Sequence, residues 1–273
     1  MKPRPEISNT LTWSGLSDVG RVRQNNEDSF VGMRFDAHEI HRLGKHGDAT
    51  TGAANFVFAV SDGMGGAKAG EFASNIAVEK ITTLLPKSFR KNTAGGDDAV
   101  AKVLTKLFRE IHGQLVYLGN SYDECHGMEA TMSLCWFSPG RVFFGHVGDS
   151  RIYHLPAGAA EIKQLTQDDT HVGWLLHHGQ ITEYEARTHP RRNVLQKSLG
   201  GGNQFVDPQV GAVACESGDI FLLCTDGLTE GLFNGHLAEM LQAKDQNIAR
   251  TLVETAVKND GRDNTTALVI QVV

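Results

Sequence analysis

The sequence has few of the features that mark secreted, membrane-bound or nucleic-acid-binding proteins. Its 273 residues include only four cysteines, none in a C-x-x-C pair, which disfavours disulfides and leaves the thiols as small apolar side chains. No apolar run approaches the roughly 18 residues of a membrane-spanning helix, and the opening MKPRPEISNT is too polar for a signal peptide. The net charge of −6 disfavours a nucleic-acid partner. We therefore expect a cytoplasmic protein with neither a membrane nor a nucleic-acid partner.

What the sequence does contain is a strand, a run of glycines and a helix around Asp62. The stretch Asn55 to Gly70 (NFVFAVSDGMGGAKAG) opens with apolar residues that predict a buried strand, breaks at Ser61, and continues with helical spacing. A carboxylate at the end of a buried strand, followed by glycines, suits a metal ion, because the glycines let backbone carbonyls approach the ion. Taken alone, the stretch fits a plain strand–turn–helix connection equally well.

Hydrophobic periodicity places the other elements along the chain. Apolar runs predict strands at 11–17, 30–33, 130–137, 142–147, 152–155, 209–215, 219–225 and 266–273. Helical intervals predict helices at about 67–85, 97–119, 168–178, 182–189, 235–243 and 245–258. The polar segments 36–54 and 87–96 predict a surface loop or hairpin and a linker, respectively. The length suits one large domain or two small ones.

A carboxylate at a strand boundary recurs along the chain. It is found at Asp62, Asp149, Asp226 and Asp263, with Glu27-Asp28 as a fifth acidic point. Any one of these could simply form a turn, but clustered carboxylates repel one another unless cations hold them, and all-oxygen ligands favour Mg²⁺ or Mn²⁺ over zinc. Two such ions about 3.5–4 Å apart lower the pKa of a bridging water and clamp a phosphoryl group. Arg23 adds a planar fork that suits phosphate.

Five motifs in order, GRVRQNNED, DGMGG, GDSR, CTDGL and DGRDNTT, give the sequence a specific resemblance to a known family. It resembles the bacterial branch of the metal-dependent serine/threonine protein phosphatases, the protein phosphatase 2C (PP2C or PPM) family, from about residue 11 to 273. The resemblance implies an α+β fold: a four-layer α-β-β-α sandwich of two antiparallel β-sheets flanked by helix pairs. It also implies a single domain over 9–273 with a flap at about 166–193, after an N-terminal tail at 1–8.

The resemblance implies which residues hold the two core metal ions. Asp62 would bridge both ions, and the carbonyl of Gly63 would ligate one of them. Asp226 and Asp263 would ligate the other ion. The ions would be Mn²⁺ or Mg²⁺.

Other matching residues surround these ligands. Glu27 and Asp28 would hold metal-bound waters, and Arg23 would bind the substrate phosphate. Asp149, with Asp226, would form a third and weaker metal site. With Arg23, Asp62 and Asp226 as catalytic residues, the expected reaction is hydrolysis of phosphoserine and phosphothreonine by a metal-activated water. The expected substrates are targets of a bacterial serine/threonine kinase, and the expected enzyme is a monomer.

The sequence departs from the family pattern at two places. Where members often read G-M-G-T-T, this chain has Gly127-Met-Glu-Ala-Thr131, of which we expect a structural rather than a catalytic effect. Eukaryotic members carry a histidine two residues after the bridging aspartate, where this chain, like bacterial relatives, has Met64. Protonation of the leaving group would then come from a metal-bound water or another group.

Two other functions fit parts of the sequence. The segment from Cys135 to Arg141 (CWFSPGR) matches the C-x5-R signature of cysteine-based phosphatases, whose thiolate attacks phosphate. The alternation around Cys135 and the missing amide of Pro139 favour a hairpin turn instead. The other alternative is a catalytically silent, phosphatase-like module that binds phosphoproteins, although every ligand position is filled.

Overall fold

Strands and helices alternate in blocks along the chain. The computed structural model describes residues 9–36, 38–52, 54–91, 96–243, 245 and 247–273, so the tail predicted at 1–8 lies outside the described residues. The strands are β1 (Thr10–Asp18), β2 (Asp28–Phe35), β3 (Ile40–Arg42), β4 (His46–Thr50), β5 (Asn55–Met64), β6 (Glu129–Ala130), β7 (Met132–Ser138), β8 (Arg141–Val147), β9 (Arg151–Leu155), β10 (Lys163–Gln164), β11 (Leu199–Gly200), β12 (Gln209–Ala214), β13 (Ile220–Cys224) and β14 (Thr265–Val272). The helices are α1 (Ala67–Lys91), α2 (Gly96–Ser121), α3 (His171–His177), α4 (Glu183–Thr188), α5 (Asp226–Gly231), α6 (Asn234–Gln242) and α7 (Ile248–Asn259).

The strands form two antiparallel sheets. One has the order β10-β9-β13-β14-β1-β4, and the other has the order β11-β6-β5-β7-β8-β12, with β2 paired to β5 and β3 paired to β2. In the first sheet β1 pairs with β14 from Leu11–Val272 to Asp18–Thr265, which joins the two ends of the described chain. Strands β8 and β9 follow each other in sequence but belong to different sheets, so the segment between them crosses from one sheet to the other.

The central strand β5 shows why the two sheets stack as layers. Its residues Phe56, Phe58 and Val60 are buried between the sheets, in the same apolar cluster as Phe221 and Ile270 of the first sheet. The residues between them, such as Val57 and Ala59, are buried on the opposite face against α1 and α2. Because side chains alternate along a strand, a strand covered on both faces becomes a continuous apolar run. This explains the NFVFAV sequence.

The outer layers confirm the predicted four-layer α-β-β-α arrangement. Helices α1 and α2 cover one sheet through side chains such as Ile81 and Leu107. Helices α5, α6 and α7 cover the other through residues such as Leu228, Leu237 and Leu252. On this second side the sequence predicted two helices, which correspond to α6 and α7. It missed the short helix α5, which begins just after β13. Within the described residues, no helix is both long enough and apolar enough to span a bilayer.

Several boundaries differ from the sequence prediction. Helix α1 continues through Pro86 to Lys91, and α2 begins at Gly96. The linker predicted at 87–96 was therefore wrong at 87–91 and at 96, and its residues 92–95 lie outside the described residues. A proline removes only one intrahelical hydrogen bond, and burial of Leu85 anchors that turn. The excursion at 36–54 is a pair of strands, since β3 extends one sheet and β4 pairs with β1 of the other.

Candidate active site

The register of β2 and β5 brings two carboxylates face to face. Asp28 lies directly opposite Asp62 in this antiparallel pair. Like charges at directly opposed positions destabilise a sheet. The hydroxyls of Thr225 and Thr266 donate to Asp28 Oδ2 at 2.7 and 2.6 Å, and the side chain is only 7% exposed. Placing two like charges opposite each other costs free energy of folding, and two hydroxyl donors hold Asp28 in this position. This arrangement is the first structural sign of a functional site.

Two glycines let the start of α1 pack against the end of β5. A β-carbon on Gly63 would collide with the carbonyl of Gly70, and one on Gly70 would lie 2.6 Å from Glu27 Oε2. The Gly63 amide donates to the Glu27 carbonyl at 3.2 Å. The glycines therefore hold Glu27 against the strand that carries Asp62. This packing role differs from the one that the sequence predicted for the glycines after Asp62, which was to let backbone carbonyls approach an ion.

Asp226 and Asp263 meet because β13 and β14 are neighbours. Cys224 at the end of β13 pairs with Ala267 near the start of β14, so the residues just beyond these ends share one edge of the sheet. Asp226, which the sequence placed at the end of a strand, is the first residue of α5. A β-carbon on Gly227 would collide with the carbonyl of Asn264, which explains the glycine after this aspartate.

Asp149 lies on the segment that crosses between the sheets. Gly148 before it has a φ of 110°, which favours glycine, and a β-carbon there would lie 2.6 Å from Thr131. Thr131 in turn accepts a hydrogen bond from the Asp62 amide at 3.0 Å and lies 2.5 Å from the Ser150 hydroxyl. The polar contacts of Thr131 thus connect the segment carrying Asp149 to the strand carrying Asp62.

These segments surround one cavity of about 520 Å³. Its lining includes every predicted site residue except Asp28, namely Arg23, Glu27, Asp62, Gly63, Asp149, Asp226 and Asp263, together with Met64, Asn193 and Asn264. Asp28 is not among the lining residues that the described ranges contribute; it lies behind them, opposite Asp62. The structure therefore brings the predicted site residues together, with Asp28 in a supporting position.

Burial and mutual repulsion make this cavity costly for ionised carboxylates. Burial raises the pKa of Asp28 to about 7 and that of Asp149 to about 7. Burial also raises the pKa of Asp62 well above its ordinary range, and the charges of Asp28 and Asp226 raise it further. The pKa of Asp226 is raised well above its ordinary range by burial and by the charge of Asp149. A cation in the cavity would reverse this cost.

The donor set fits Mn²⁺ or Mg²⁺. Two buried carboxylate oxygens, Oδ1 of Asp28 and Oδ1 of Asp226, have no hydrogen-bond partner among the described residues. Hard divalent cations prefer such carboxylate oxygens. Among the described residues, no group of three or more His, Cys, Asp and Glu side chains is placed so that it could hold a metal ion without rearrangement. Rotations about the side-chain torsions of the aspartates would therefore accompany ligation.

Arg23 lies at the mouth of the cavity with half of its side chain exposed. Its Nη2 donates to Asp263 Oδ2 at 2.6 Å, and the side chain is 50% exposed. The guanidinium thus pairs with a residue predicted to be a metal ligand, a contact that sequence reasoning did not predict. A metal on Asp263 would compete for this carboxylate and free part of the Arg23 fork for an anion.

Sequence reasoning missed Asn264, whose side chain bonds the loop between β1 and β2, which carries Arg23, to the start of β14 beside Asp263. Its Nδ2 donates to the carbonyls of Val19 and Asn25 at 2.9 and 3.0 Å. Its Oδ1 accepts from the Glu27 amide at 2.8 Å. The DNTT sequence was the available signal, because a polar side chain between a ligand and a buried strand needs partners of its own.

The family departure at Gly127 to Thr131 leaves the site residues in place. The kept Thr131 makes the contact to the Asp62 amide at 3.0 Å. Glu129, opposite Met64 in the β5–β6 pair, accepts from the Ser198 hydroxyl at 2.8 Å instead of entering the cavity lining. The structural effect that the sequence predicted is therefore a contact between β6 and the segment that leads to β11.

The C-x5-R segment is a hairpin, as the sequence favoured. Cys135 is fully buried within β7, and burial raises the pKa of its thiol. Arg141 begins β8 and pairs with Asp97 at 2.8 Å. A buried thiol is a poor nucleophile because the reactive thiolate does not form. The cysteine-based mechanism is therefore wrong for this chain.

Cys135→Ser is expected to leave phosphatase activity within about twofold of wild type, because neither the thiol nor Arg141 faces the acidic cavity. The measurement is the rate of p-nitrophenyl phosphate hydrolysis with Mn²⁺, normalised to folded protein by circular dichroism. A fall of more than about tenfold in a folded variant would return the thiolate to consideration.

Comparisons with known proteins agree with this geometry. A family model described as Protein phosphatase 2C matches residues 44–258. The chain is 32% identical to the serine/threonine protein phosphatase PstP of Mycobacterium tuberculosis over 98% of its own length, but it spans only about half, 46%, of that relative. It is 31% identical to the serine/threonine phosphatase stp of Listeria monocytogenes, with 93% of each chain covered.

A solved structure shows the same architecture. It is the catalytic domain of the serine/threonine protein phosphatase PstP in complex with two manganese ions. The two structures superpose with a TM-score of 0.76 at 31% sequence identity, covering 97% of this chain and 99% of the other. The family model matches most of the chain, and the fold and the ordered motifs agree with it: the chain belongs to the protein phosphatase 2C family, in its bacterial branch of serine/threonine phosphatases.

Proposed function

We propose that this protein is a Mn²⁺- or Mg²⁺-dependent phosphatase that hydrolyses phosphoserine and phosphothreonine in proteins. The observation that carries this proposal is the acidic cavity, in which buried carboxylates with raised pKa values face one another beside an exposed arginine. No side chain in this lining is a histidine, cysteine or serine that could serve as the nucleophile of a phosphoenzyme, as far as the described residues go. The lining carboxylates, a residue type that forms aspartyl phosphates in other enzymes, serve as metal ligands in this proposal, and the nucleophile is a metal-activated water.

Each lining residue has a role in this proposal. Asp62 would bridge two ions, one of which the Gly63 carbonyl also ligates, while Asp226 and Asp263 would ligate the other. Glu27 and Asp28 would orient water around them, and Asp149 with Asp226 would hold a third ion. Bound ions supply a water with a lowered pKa and neutralise the charge of a phosphoryl group. Support for manganese comes from the PstP complex with two such ions.

Arg23 would bind the phosphate of the substrate at the mouth of the cavity. The guanidinium is exposed enough to reach an incoming anion, and a metal ion on Asp263 would free part of its fork for that anion. Its planar fork can donate two parallel hydrogen bonds to a phosphate. Phosphorylated serine or threonine side chains would enter here. We further propose that the substrates are targets of a serine/threonine kinase, and that the enzyme works as a monomer in the cytoplasm.

Arg23→Ala is expected to raise KM for a phosphopeptide about ten- to a hundredfold with little change in kcat. The lost charge-assisted hydrogen bonds bind the phosphate equally in the ground state and the transition state. Steady-state kinetics at saturating Mn²⁺ provides both constants. Arg42→Ala is the matched control, because Arg42 is another exposed arginine in a carboxylate pair, 3.2 Å from Glu79. An unchanged KM in Arg23→Ala would reject its role in phosphate binding.

The proposed activity is tested by removing and restoring the metal. Hydrolysis of p-nitrophenyl phosphate is measured with Mn²⁺, with EDTA, and with EDTA followed by excess Mn²⁺. We expect activity to disappear with EDTA and return with Mn²⁺. Activity that persists in EDTA would overturn the metal-dependent mechanism. A folded protein with no activity on this substrate or on a panel of phosphopeptides would support the silent, phosphoprotein-binding module instead.

A further inference from the structure

The short helix α5 is held at its far end by an arginine from another part of the chain. Arg187 of α4 donates through Nη2 to the carbonyls of Thr229 and Leu232 at 2.6 and 2.7 Å. Its Nη1 lies 3.4 Å from the carbonyl of Glu230. The last carbonyls of a helix have no intrahelical donor, so they need partners from outside. Arg187 therefore supplies hydrogen bonds to three carbonyls at this end, and Asn259 Nδ2 of α7 donates to a fourth, that of Gly231, at 3.0 Å.

The arginine is built into this position. Its side chain is 22% exposed, and its guanidinium carbon lies 3.8 Å from the centre of the Phe233 ring. A guanidinium can stack on an aromatic face and donate in several directions of its plane at once, whereas a lysine ammonium can do neither in the same geometry. The contact thus depends on arginine rather than on positive charge alone.

Helix α5 carries Asp226 at its other end. Its six residues, Asp226–Gly231, span only about 9 Å at the rise of an α-helix. Leu228 is fully buried, and a β-carbon on Gly231 would lie 2.5 Å from the carbonyl of Ala256, so α5 packs closely on α7. A displacement at the C-terminal end of α5 would shift Asp226.

A second contact joins the same elements. Glu230 of α5 accepts from Arg192 Nε at 3.2 Å and lies 3.4 Å from Asn193 Nδ2. Arg192 and Asn193 belong to the end of the flap predicted at 166–193. Asn193 and Asp226 both line the acidic cavity. The segment 166–193 therefore bonds both to the backbone carbonyls at the end of α5, through Arg187, and to the Glu230 side chain, through Arg192 and Asn193. These contacts lie next to the proposed metal ligands.

We propose that Arg187 is a positioning residue that fixes α5, and with it Asp226, to the segment 166–193. This inference rests on the proposed role of Asp226 as a metal ligand. Arg187 does not line the acidic cavity around Asp62, but it lines an adjoining cavity of about 340 Å³ that also includes Asp149 and Asp226. Its effect reaches the site through the orientation of α5, so the position of the flap and the affinity of the site for metal are linked.

The test compares Arg187→Met, Arg187→Lys and Arg250→Met in the full chain. Arg187→Met keeps the alkyl stem and removes the donors, and Arg187→Lys keeps the charge. Arg250→Met removes an exposed arginine from α7 and is the matched control. Amide hydrogen exchange over 226–232 is measured in EDTA, and Mn²⁺ affinity is measured by titration calorimetry. Values of kcat and KM for p-nitrophenyl phosphate follow at saturating Mn²⁺.

We expect faster exchange over 226–232 in Arg187→Met, by about fivefold or more, with the control unchanged. We also expect Mn²⁺ to bind about tenfold more weakly, as for other residues that orient ligands. For Arg187→Lys, we expect exchange rates and Mn²⁺ affinity between those of wild type and those of Arg187→Met. This variant also provides the test if Arg187→Met does not fold. A kcat that recovers at saturating Mn²⁺ would agree with a positioning role, because the ligand itself is intact.

Two results would overturn the inference. One is unchanged exchange and unchanged Mn²⁺ affinity in folded Arg187 variants. The other is an equal loss of melting temperature and exchange protection across the whole protein, which is what a merely structural residue would give. These results are distinct from failure of the proposed function. A wild-type protein that binds Mn²⁺ without hydrolysing phosphate would reject the activity, whereas the exchange and affinity data would still decide the role of Arg187.

Discussion

Asp62→Asn is expected to lower kcat by well over ~100-fold. The side chain lies at the end of β5, faces Asp28 across the strand pair, and lines the acidic cavity. Asparagine keeps the size and the backbone contact to Thr131 but loses the charge and one of the two oxygens that could bridge two ions. The measurement is kcat for p-nitrophenyl phosphate over a wide range of Mn²⁺ concentrations.

The same variant carries its own control, because stability and activity should change in opposite directions. Burial and the neighbouring carboxylates raise the pKa of Asp62, so its ionised form destabilises the metal-free protein near neutral pH. Asp62→Asn should therefore melt at a higher temperature than wild type in EDTA. Asp48→Asn, on the exposed strand β4, should change neither quantity. Wild-type kcat in Asp62→Asn would reject the metal-centre assignment.

The sequence predicted the acidic positions well because each was marked locally. Asp62, Asp226 and Asp263 stand next to buried strands whose apolar runs are visible without any structure. Pairing of β13 with β14 brings Asp226 and Asp263 to a shared edge of one sheet, and the stacking of the two sheets places Asp62 of β5 in the same cavity. The glycine after Asp62 and the one after Asp226 were also readable, and the structure shows why each is needed, since a β-carbon would strike Gly70 or Asn264.

The sequence could not predict contacts between residues far apart in the chain. Asp28 is held by Thr225 and Thr266, which lie 197 and 238 residues away. The pair between Arg23 and Asp263 spans 240 residues. No local pattern encodes such pairings, because they follow from the order of strands in the sheets. The supporting position of Asp28, the ion pair of Arg23 and the role of Asn264 therefore required the structure.

The local sequence pattern also failed to predict elements whose secondary structure is set by tertiary packing rather than by residue propensity. Helix α5 was missed because Asp-Gly after a strand is typical of a turn, whereas burial of Leu228 on α7 and the Arg187 contacts stabilise six residues as a helix. The strands β3 and β4 lie in a polar, glycine-containing segment whose side chains are mostly exposed. Their sequence has no core-facing alternation, since they extend the edges of the sheets.

The metal-free protein is expected to lose stability as the pH rises from about 5 to 8. In the fold, the pKa of Asp28 and that of Asp149 are each raised to about 7 from an ordinary value of 3.8. Over this interval the folded protein binds more protons than the unfolded chain, so unfolding becomes easier as the pH increases. The full shift corresponds to an upper limit on the order of 4 kcal/mol for each carboxylate. The measurement is the melting temperature in EDTA across this range.

Bound Mn²⁺ should offset the loss of stability at high pH. Because, among the titrating groups, the ions bind only the carboxylates, this effect distinguishes the aspartates from other groups that titrate in the same pH range. His146 is buried with a lowered pKa, so its titration stabilises the fold as pH rises and opposes the effect of the aspartates. His146 does not line the acidic cavity, so its contribution cancels when melting temperatures with and without Mn²⁺ are subtracted at each pH. The Mn²⁺-induced gain should be several degrees larger at pH 8 than at pH 5.5, because protons compete for the ligands at the lower pH. Asp149→Asn should flatten this difference, since it removes one of the two carboxylates that titrate near 7. A gain independent of pH, in both wild type and Asp149→Asn, would show that ionisation of these aspartates and metal binding are not coupled.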